Sequence, residues 1–188
     1  MIDTDTGLQA VLAIIEIAEE NKIAWAICGG IAAQIYGSQR LTKDVDFIAD
    51  KLLPLKAERR LGFGGNRYRV EVNKKIVDVD WIVRSDEAKE FYKAALDDAK
   101  ELENGIFIIT PEWFVILKYI AGRFKDQEDS VYLLKRKGLV DRKKLKGLVT
   151  KHGGRNAWSL MASGLQRWYD LADGLIRTEK NDYEADPI

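Results

Sequence analysis

Apolar residues near the start of the chain recur every three or four positions, and those that follow form short runs. The helical spacing is carried by Leu8, Val11, Leu12, Ile15 and Ala18. It predicts an amphipathic helix over residues 8–20. Residues 23–28 are apolar throughout, which is typical of a buried strand, and residues 31–36 predict a short helix. The chain therefore begins with a helix, a strand and a second helix.

Two later apolar stretches each contain a pair of acids at alternate positions. Asp44 and Asp46 begin one predicted strand, and Asp78 and Asp80 lie within another over residues 75–83. Because successive side chains of a strand point to opposite faces, each pair projects from one face and the apolar neighbours form the other. The apolar face has to be buried. The acids therefore either line a polar cleft or face solvent, where Asp78 and Asp80 would lie opposite nearby lysines.

The rest of the pattern completes an α+β fold. It predicts strands over 67–72 and 106–109, and helices over 54–61, 87–102, 142–151 and 156–175, with one more beginning at Pro111. We expect a mixed β-sheet of about four to five strands flanked by helices, followed by a helical C-terminal part. The predicted division is a catalytic core at 1–109, a helical region packed on it at 110–177, and a flexible tail at 178–188.

Charge and composition exclude several classes of protein. The chain has 30 basic and 30 acidic residues among 188, so no overall basic excess argues for a nucleic-acid partner. One cysteine and one histidine exclude an internal disulfide, are too few for structural zinc, and argue against histidine-dependent phosphohydrolases. No apolar run reaches the ~20 residues that span a bilayer, and the polar N-terminus is unlike a signal peptide. We expect a cytoplasmic protein with no membrane partner.

The paired acids and the two glycines before them are the residues best suited to chemistry. Two carboxylates on one strand face repel each other unless a cation lies between them or one is protonated. Mg²⁺ is bound by oxygen ligands, commonly one or two carboxylates with substrate phosphates and water. Gly29 and Gly30 lie between a strand and a short helix, where glycine lets a phosphate approach the backbone. Alternatively, the acids are merely solvated and the turn holds no ligand.

The order of these residues resembles a known superfamily. Gly29-Gly30, a short helix and the segment R-x-T-x-D-x-D-F from Arg40 to Phe47 resemble the nucleotidyltransferases, which include the DNA polymerase beta-like enzymes. Within that superfamily the match is nearest to the small prokaryotic nucleotidyltransferases of the abortive-infection toxin type. The resemblance implies the nucleotidyltransferase fold, a glycine turn that contacts a nucleoside triphosphate, and two acids that bind two Mg²⁺ ions.

The same resemblance implies a third acid on a later strand, which completes the metal site and acts as the general base. Asp80 is the first choice, because an acid followed by apolar residues is closest to the superfamily pattern, and Asp78 is the alternative. Arg40 and Thr42 add hydrogen-bond donors just before the paired acids. We therefore predict Asp44, Asp46 and Asp80 as catalytic and metal-binding residues. The predicted nucleotide-binding residues are Gly29, Gly30, Arg40, Thr42 and Lys118.

A second segment, from Thr110 to Asp129, resembles the T-P-E-x₅-K-x-x-A-x-R-x-K-D-x-x-D stretch that follows the core in these enzymes. Lys118 lies among apolar residues of a predicted helix, and burial of an unpaired ammonium is costly. It should therefore meet an anion, and the resemblance implies that the anion is a nucleotide phosphate. The charged residues after it either serve the site or form a salt-bridged face between two helices: Arg123, Lys125, Asp126 and Asp129.

These features predict an Mg²⁺-dependent nucleotidyltransferase that moves a nucleoside monophosphate from a triphosphate to a hydroxyl acceptor. The acceptor is RNA, in particular tRNA, a protein side chain or a small molecule such as an antibiotic. The toxin-like resemblance favours RNA and implies a possible antitoxin partner. The lysine-rich stretch 142–151 is the best local candidate for RNA contact, unless it is only a solvated face. The alternative function is a non-catalytic nucleotide- or partner-binding module of the same fold.

Overall fold

A computed structural model describes residues 1–177 of the chain, and the predicted α+β fold is confirmed. The tail predicted over residues 178–188 lies outside the described residues. The helices are α1 Thr4–Glu20, α2 Gly29–Ile35, α3 Lys89–Asp97, α4 Pro111–Ala121, α5 Phe124–Lys135 and α6 Arg142–Ala172. The strands are β1 Trp25–Cys28, β2 Asp44–Ala49, β3 Arg59–Arg60, β4 Asn66–Val72, β5 Lys75–Ile82, β6 Lys100–Glu101 and β7 Phe107–Ile108.

The strands form one mixed sheet in the order β3-β4-β5-β2-β1-β7-β6. Strand β2 pairs in parallel with β5 and antiparallel with β1, so the strand that carries the first acid pair lies at the centre. The face of β2 and β5 opposite the acids is buried. Val45 and Phe47 of β2 and Val79 and Trp81 of β5 are inaccessible to solvent. Because a slip of one residue would expose these side chains, their burial fixes the register of the acids.

The sheet has seven strands, not the four to five predicted, and two local predictions are wrong. Strand β3 lies within residues 54–61, which were predicted to be helical. Arg59 and Arg60 instead pair antiparallel with β4, and that pairing satisfies backbone groups that a short helix would leave free. Helix α3 ends at Asp97 rather than near residue 102, because β6 pairs with β7 there. Both additional strands are two residues long.

Three helices follow the sheet. Helix α4 begins with Pro111 at its first position and ends at Ala121, and the next residue, Gly122, has a φ of 69°, the left-handed conformation that favours glycine. Helix α5 follows after one further residue. Helix α6 is interrupted at Gly154 (φ 75°, ψ 177°), so the predicted break between a helix over 142–151 and one over 156–175 is confirmed. Among residues 1–177, none of the helices has the length and apolar character required to cross a bilayer.

Candidate active site

Four carboxylates project from one face of β2 and β5. The parallel pairing sets Asp44 beside Asp78 and Asp46 beside Asp80. Carboxylate oxygens of Asp44, Asp46 and Asp80 lie within 4.8 Å of one another, and we call these three residues the acidic triad. Asp78 is opposite Asp44 in the strand register but is not part of this group, and 32% of its side chain is exposed. The predicted first choice for the third acid therefore lies with the paired acids, and the alternative lies outside this group.

The triad carries more negative charge than its surroundings neutralise at Asp46. Burial, and next the charge of Asp44, raises the pKa of the Asp46 carboxyl from 3.8 to about 6. Lys118 acts in the opposite direction but does not cancel these effects. A carboxylate in this state gains from a nearby cation. The triad is therefore a set of three oxygen donors suited to a divalent ion.

The glycine turn lies directly against the triad, where there is no room for a side chain. A Cβ on Gly29 would overlap the Asp46 carboxylate, and a Cβ on Gly30 would overlap the Thr42 side chain. Gly29 also has a φ of 58°, which favours glycine. The backbone N–H of Gly30 donates to Asp46 Oδ2 at 3.4 Å. The predicted proximity of the turn and the paired acids is thus present in the structure.

Thr42 is buried behind the turn and supports the strand that carries the acids. Its hydroxyl donates to the backbone oxygen of Asp44 at 3.1 Å, and its backbone pairs with Ile2 in an isolated bridge. The side chain lines the cleft but is already hydrogen-bonded within the protein. Its predicted contact with a nucleotide stays a prediction.

Arg67 of β4 is a site residue that the sequence did not reveal. Its Nε donates to Asp80 Oδ1 at 2.5 Å, and its Nη2 donates to Asp80 Oδ2 at 2.7 Å and to Asp44 Oδ2 at 3.1 Å. Its Nη1 donates to Asp78 Oδ2 at 3.0 Å. The only sequence signal was its place in a predicted strand. Its meeting with the acids depends on the β4–β5 register, in which Arg67 pairs with Asp80.

Lys118 is buried and meets an anion, as its place on an apolar helix predicted. The anion in the structure is a pair of carboxylates: the ammonium donates to Asp126 Oδ1 at 2.8 Å and to Asp129 Oδ2 at 2.9 Å. Arg40 binds Asp129 through two hydrogen bonds of 2.7 Å, and Arg123 Nε donates to Asp126 at 2.7 Å. We call these five residues the lysine network. The predicted contact of Lys118 with a phosphate stays a prediction.

The triad and the three cations of the lysine network line one cleft of about 490 Å³, a volume typical of small-molecule sites. The triad supplies its acidic side chains. Its basic side chains are more numerous: Arg40, Arg59, Arg67, Arg84, Lys118, Arg123 and Lys125. Arg84 lies between the rings of Phe63 and Tyr92, at 5.5 Å and 4.9 Å from their centroids. A cleft with acids beside many cations suits a ligand that carries phosphates and a metal ion.

Comparisons with known proteins agree with this architecture. No protein-family model and no curated protein sequence matches the chain. The structure is similar to that of an antigenic nucleotidyltransferase-like protein from Paracoccidioides brasiliensis, with a TM-score of 0.55, 18% identity, and coverage of 93% of this chain and 94% of that one. This similarity confirms the nucleotidyltransferase-type fold that the sequence resemblance predicted.

Two weaker matches are structures of the antibiotic-resistance factor ANT(2'')-Ia. Its solution structure has a TM-score of 0.42 and 14% identity, and covers 93% of this chain and 98% of that one. Its crystal structure with adenylyl-2''-tobramycin has a TM-score of 0.41 and 18% identity, and covers 88% of this chain and 99% of that one.

Proposed function

We propose that the protein is an Mg²⁺-dependent nucleotidyltransferase that moves a nucleoside monophosphate from a nucleoside triphosphate to a hydroxyl acceptor. One observation carries the proposal: three carboxylates from adjacent parallel strands lie within 4.8 Å of one another, against a glycine turn and within a cleft rich in cations. The nucleotidyltransferase-type fold makes this arrangement more informative than an acidic cluster alone would be.

The donor set fits magnesium. Asp44, Asp46 and Asp80 offer only carboxylate oxygens, which Mg²⁺ prefers over nitrogen or sulfur. The raised pKa of Asp46 and the presence of the Arg67 guanidinium among the acids both indicate that positive charge stabilises this site. When bound, Mg²⁺ supplies charge that stabilises the phosphates during displacement, and superfamily resemblance favours two ions.

The chain's own residues position the substrates. Lys118 and Arg123 are the cations of the lysine network that, with Arg40, face a triphosphate in the cleft, and the Gly29-Gly30 turn allows its phosphates to approach the backbone. Asp80 accepts the proton of the acceptor hydroxyl. The acceptor oxygen then bonds to the α-phosphorus, the bond from that phosphorus to the β-phosphate oxygen breaks, and pyrophosphate leaves. Catalysis of this kind depends on alignment and charge stabilisation.

The charge of the cleft favours an anionic acceptor. Several of its cations already pair with carboxylates, but Arg59 and Lys125 are exposed at its edge and can contact an anionic ligand. Such a surface attracts RNA and repels a polycationic antibiotic. RNA is therefore the acceptor we favour, with tRNA as the first candidate. A protein side chain or a small anionic molecule would be the next to examine.

The proposal is tested by incubating the protein with each α-labelled nucleoside triphosphate, Mg²⁺ and total RNA, followed by gel analysis. We expect label on RNA from the wild type and from Asp78→Asn. We expect no label from Asp44→Asn or Asp80→Asn, because each removes a triad carboxylate. Label that persists in both triad variants would contradict the proposal. Equal losses of RNA label in Asp78→Asn and Asp80→Asn would show that the assignment of Asp80 as the third acid is wrong.

The second candidate is a non-catalytic nucleotide-binding module. It is favoured by the guanidinium of Arg67, which already forms ion pairs with two triad acids. Titration calorimetry with each nucleoside triphosphate in Mg²⁺ separates the two candidates. Tight binding without release of pyrophosphate, across RNA and small-molecule acceptor pools, would establish the module and overturn the enzyme.

A toxin role is the finer form of the first candidate, and it is supported by the sequence resemblance alone. We expect induced expression of the wild type to slow bacterial growth, and expression of Asp44→Asn at the same level to leave growth unchanged. Rescue by a protein encoded next to the gene would identify an antitoxin. Normal growth with abundant, active wild-type protein would contradict the toxin role while leaving the enzymatic proposal in place.

A further inference from the structure

Arg67 joins three carboxylates through three different nitrogens. Nε and Nη2 face Asp80 and Asp44, which belong to the triad, while Nη1 faces Asp78, which does not. Its side chain is 17% exposed, and an arginine stays charged at every pH at which the protein is folded. The guanidinium thus occupies the donor oxygens that a metal ion would need.

From this geometry we propose that Arg67 is an internal counter-cation, which competes with divalent ions for Asp44 and Asp80 and is retained by Asp78 when they enter. The inference rests on the proposed function, because it concerns the same metal site. It makes Arg67 a gate on metal entry. It also gives Asp78 a role different from that of a third metal-binding acid.

The contacts of Arg67 divide in a way that permits such an exchange. Two nitrogens contact the triad and the third contacts Asp78 on the more exposed side of the site. Rotation of the guanidinium about the Asp78 contact frees Asp44 and Asp80 without leaving the arginine unpaired. Without Arg67, the carboxylates would repel one another in the absence of metal. The arginine therefore stabilises the metal-free protein and weakens the binding of the first ion.

Arg69 is a matched control on the same strand. It projects from the same face as Arg67, because residues two apart in a strand do so. Its contacts are with Glu58 at 3.0 Å and Asp78 at 3.4 Å, and both residues lie outside the triad. Replacement of either arginine by glutamine removes one positive charge from this face. Only Arg67→Gln also frees the triad oxygens.

The test is calorimetric titration of Mn²⁺ and Mg²⁺ into the full chain without nucleotide. We expect Arg67→Gln to bind the first ion about tenfold more tightly than the wild type, because charge-assisted hydrogen bonds no longer compete. Arg69→Gln should stay within about twofold, since a general charge effect at this distance is screened by salt. Arg67→Lys, which keeps the charge but cannot bridge three carboxylates, should lie between the wild type and Arg67→Gln.

Thermal unfolding of the same variants supplies a second readout. Without metal, Arg67→Gln should melt at a lower temperature than Arg69→Gln, and saturating Mg²⁺ should raise its melting temperature more than that of the wild type. If Arg67→Gln does not fold without metal, Arg67→Lys carries the comparison. Equal or weaker metal binding in folded Arg67→Gln or Arg67→Lys would overturn the proposal, as would equal gains in Arg67→Gln and Arg69→Gln.

These measurements separate the present inference from the proposed function. They need no nucleotide and no transfer. If Asp44→Asn abolishes RNA labelling while Arg67→Gln leaves metal affinity unchanged, the counter-cation role fails and the enzyme stands. If Arg67→Gln binds metal more tightly but no variant transfers a nucleotide, the enzyme fails and the counter-cation role stands. Failure of every variant, including the wild type, to bind either ion would overturn both.

Discussion

Two clusters of acids and bases lie beside the cleft, and their net charges differ in sign: cations are in excess in the lysine network and carboxylates in the triad. In the lysine network, Asp126 and Asp129 each contact two cations, and their side chains are 0% and 2% exposed. In the triad, Arg67 is the one cation among residues 1–177 that forms an ion pair with Asp44 and Asp80, and burial and Asp44 still raise the pKa of Asp46. In the lysine network each buried carboxylate is paired with cations, and these ion pairs join α4 and α5 to the segment before β2. In the triad the acidic excess lies at the cleft, where it is suited to bind a cation.

The largest expected effect is on stability, in the lysine network. Asp129→Ala leaves Arg40 without its bidentate partner and Lys118 with half of its own. Removal of one member of a buried charge cluster costs ~3–5 kcal/mol of unfolding free energy. Urea unfolding followed by circular dichroism measures this loss. The control is Asp78→Ala, a more exposed acid whose removal should cost ~1 kcal/mol or less. Equal losses would remove the distinction between the clusters.

The next effect is on activity, in the triad. Asp46→Asn should lower nucleotidyl transfer by ~10²–10³-fold, as loss of a preorganised electrostatic group does. The same change should raise metal-free stability at pH 7 by ~1–2 kcal/mol, because an acid whose pKa is raised by folding destabilises the fold when ionised. Transfer assays and urea unfolding are run side by side. A variant that loses both activity and stability would show that Asp46 is structural.

The smallest expected effect is the pH dependence of the lysine network. Burial alone would raise the pKa values of Asp126 and Asp129, but hydrogen bonds from Arg123 and Arg40 and the charge of Lys118 lower both below 3.8. The unfolded chain therefore binds protons more readily than the folded one. The stabilisation is complete above the unfolded pKa of ~3.9 and is lost as pH falls through the lowered folded values.

Urea unfolding at pH 5, 4, 3 and 2 measures this loss. We expect the unfolding free energy of the wild type to fall below pH 4. The decline should be shallower in a variant with Asp126→Asn and Asp129→Asn, because those two carboxyl groups no longer take up protons on unfolding. If the unfolding free energy falls equally steeply with pH in both proteins, other acidic residues control the loss of stability at low pH.

The sequence was most informative where chemistry is local. The Gly29-Gly30 turn and the paired acids lie within 18 residues of one another, and strand alternation placed Asp44 and Asp46 on one face. Asp80 was preferred over Asp78 by resemblance, and the parallel register brings it into the triad. These features depend on short-range geometry, which a sequence pattern carries well.

The features that the sequence did not predict depend on how strands pair in the sheet and on its edge strands. Arg67 meets the acids only because β4 pairs with β5 in one of several possible alignments. Residues 59–60 form an edge strand where apolar spacing indicated a helix, since pairing with β4 overrides local preference. Asp126 and Asp129 contact Lys118 because the chain reverses at Gly122 between α4 and α5, and the sequence pattern did not predict that turn.

The ion pair between Arg40 and Asp129 has a consequence for truncated forms of the protein. Arg40 lies in the segment that leads into the central strand, while Asp129 belongs to α5. A shortened chain that stops ahead of α5 would strip Arg40 of its carboxylate and loosen the approach to Asp44. We therefore expect the sheet region alone to have no nucleotidyl transfer activity. Addition of a separate fragment that begins at Pro111 should restore that activity.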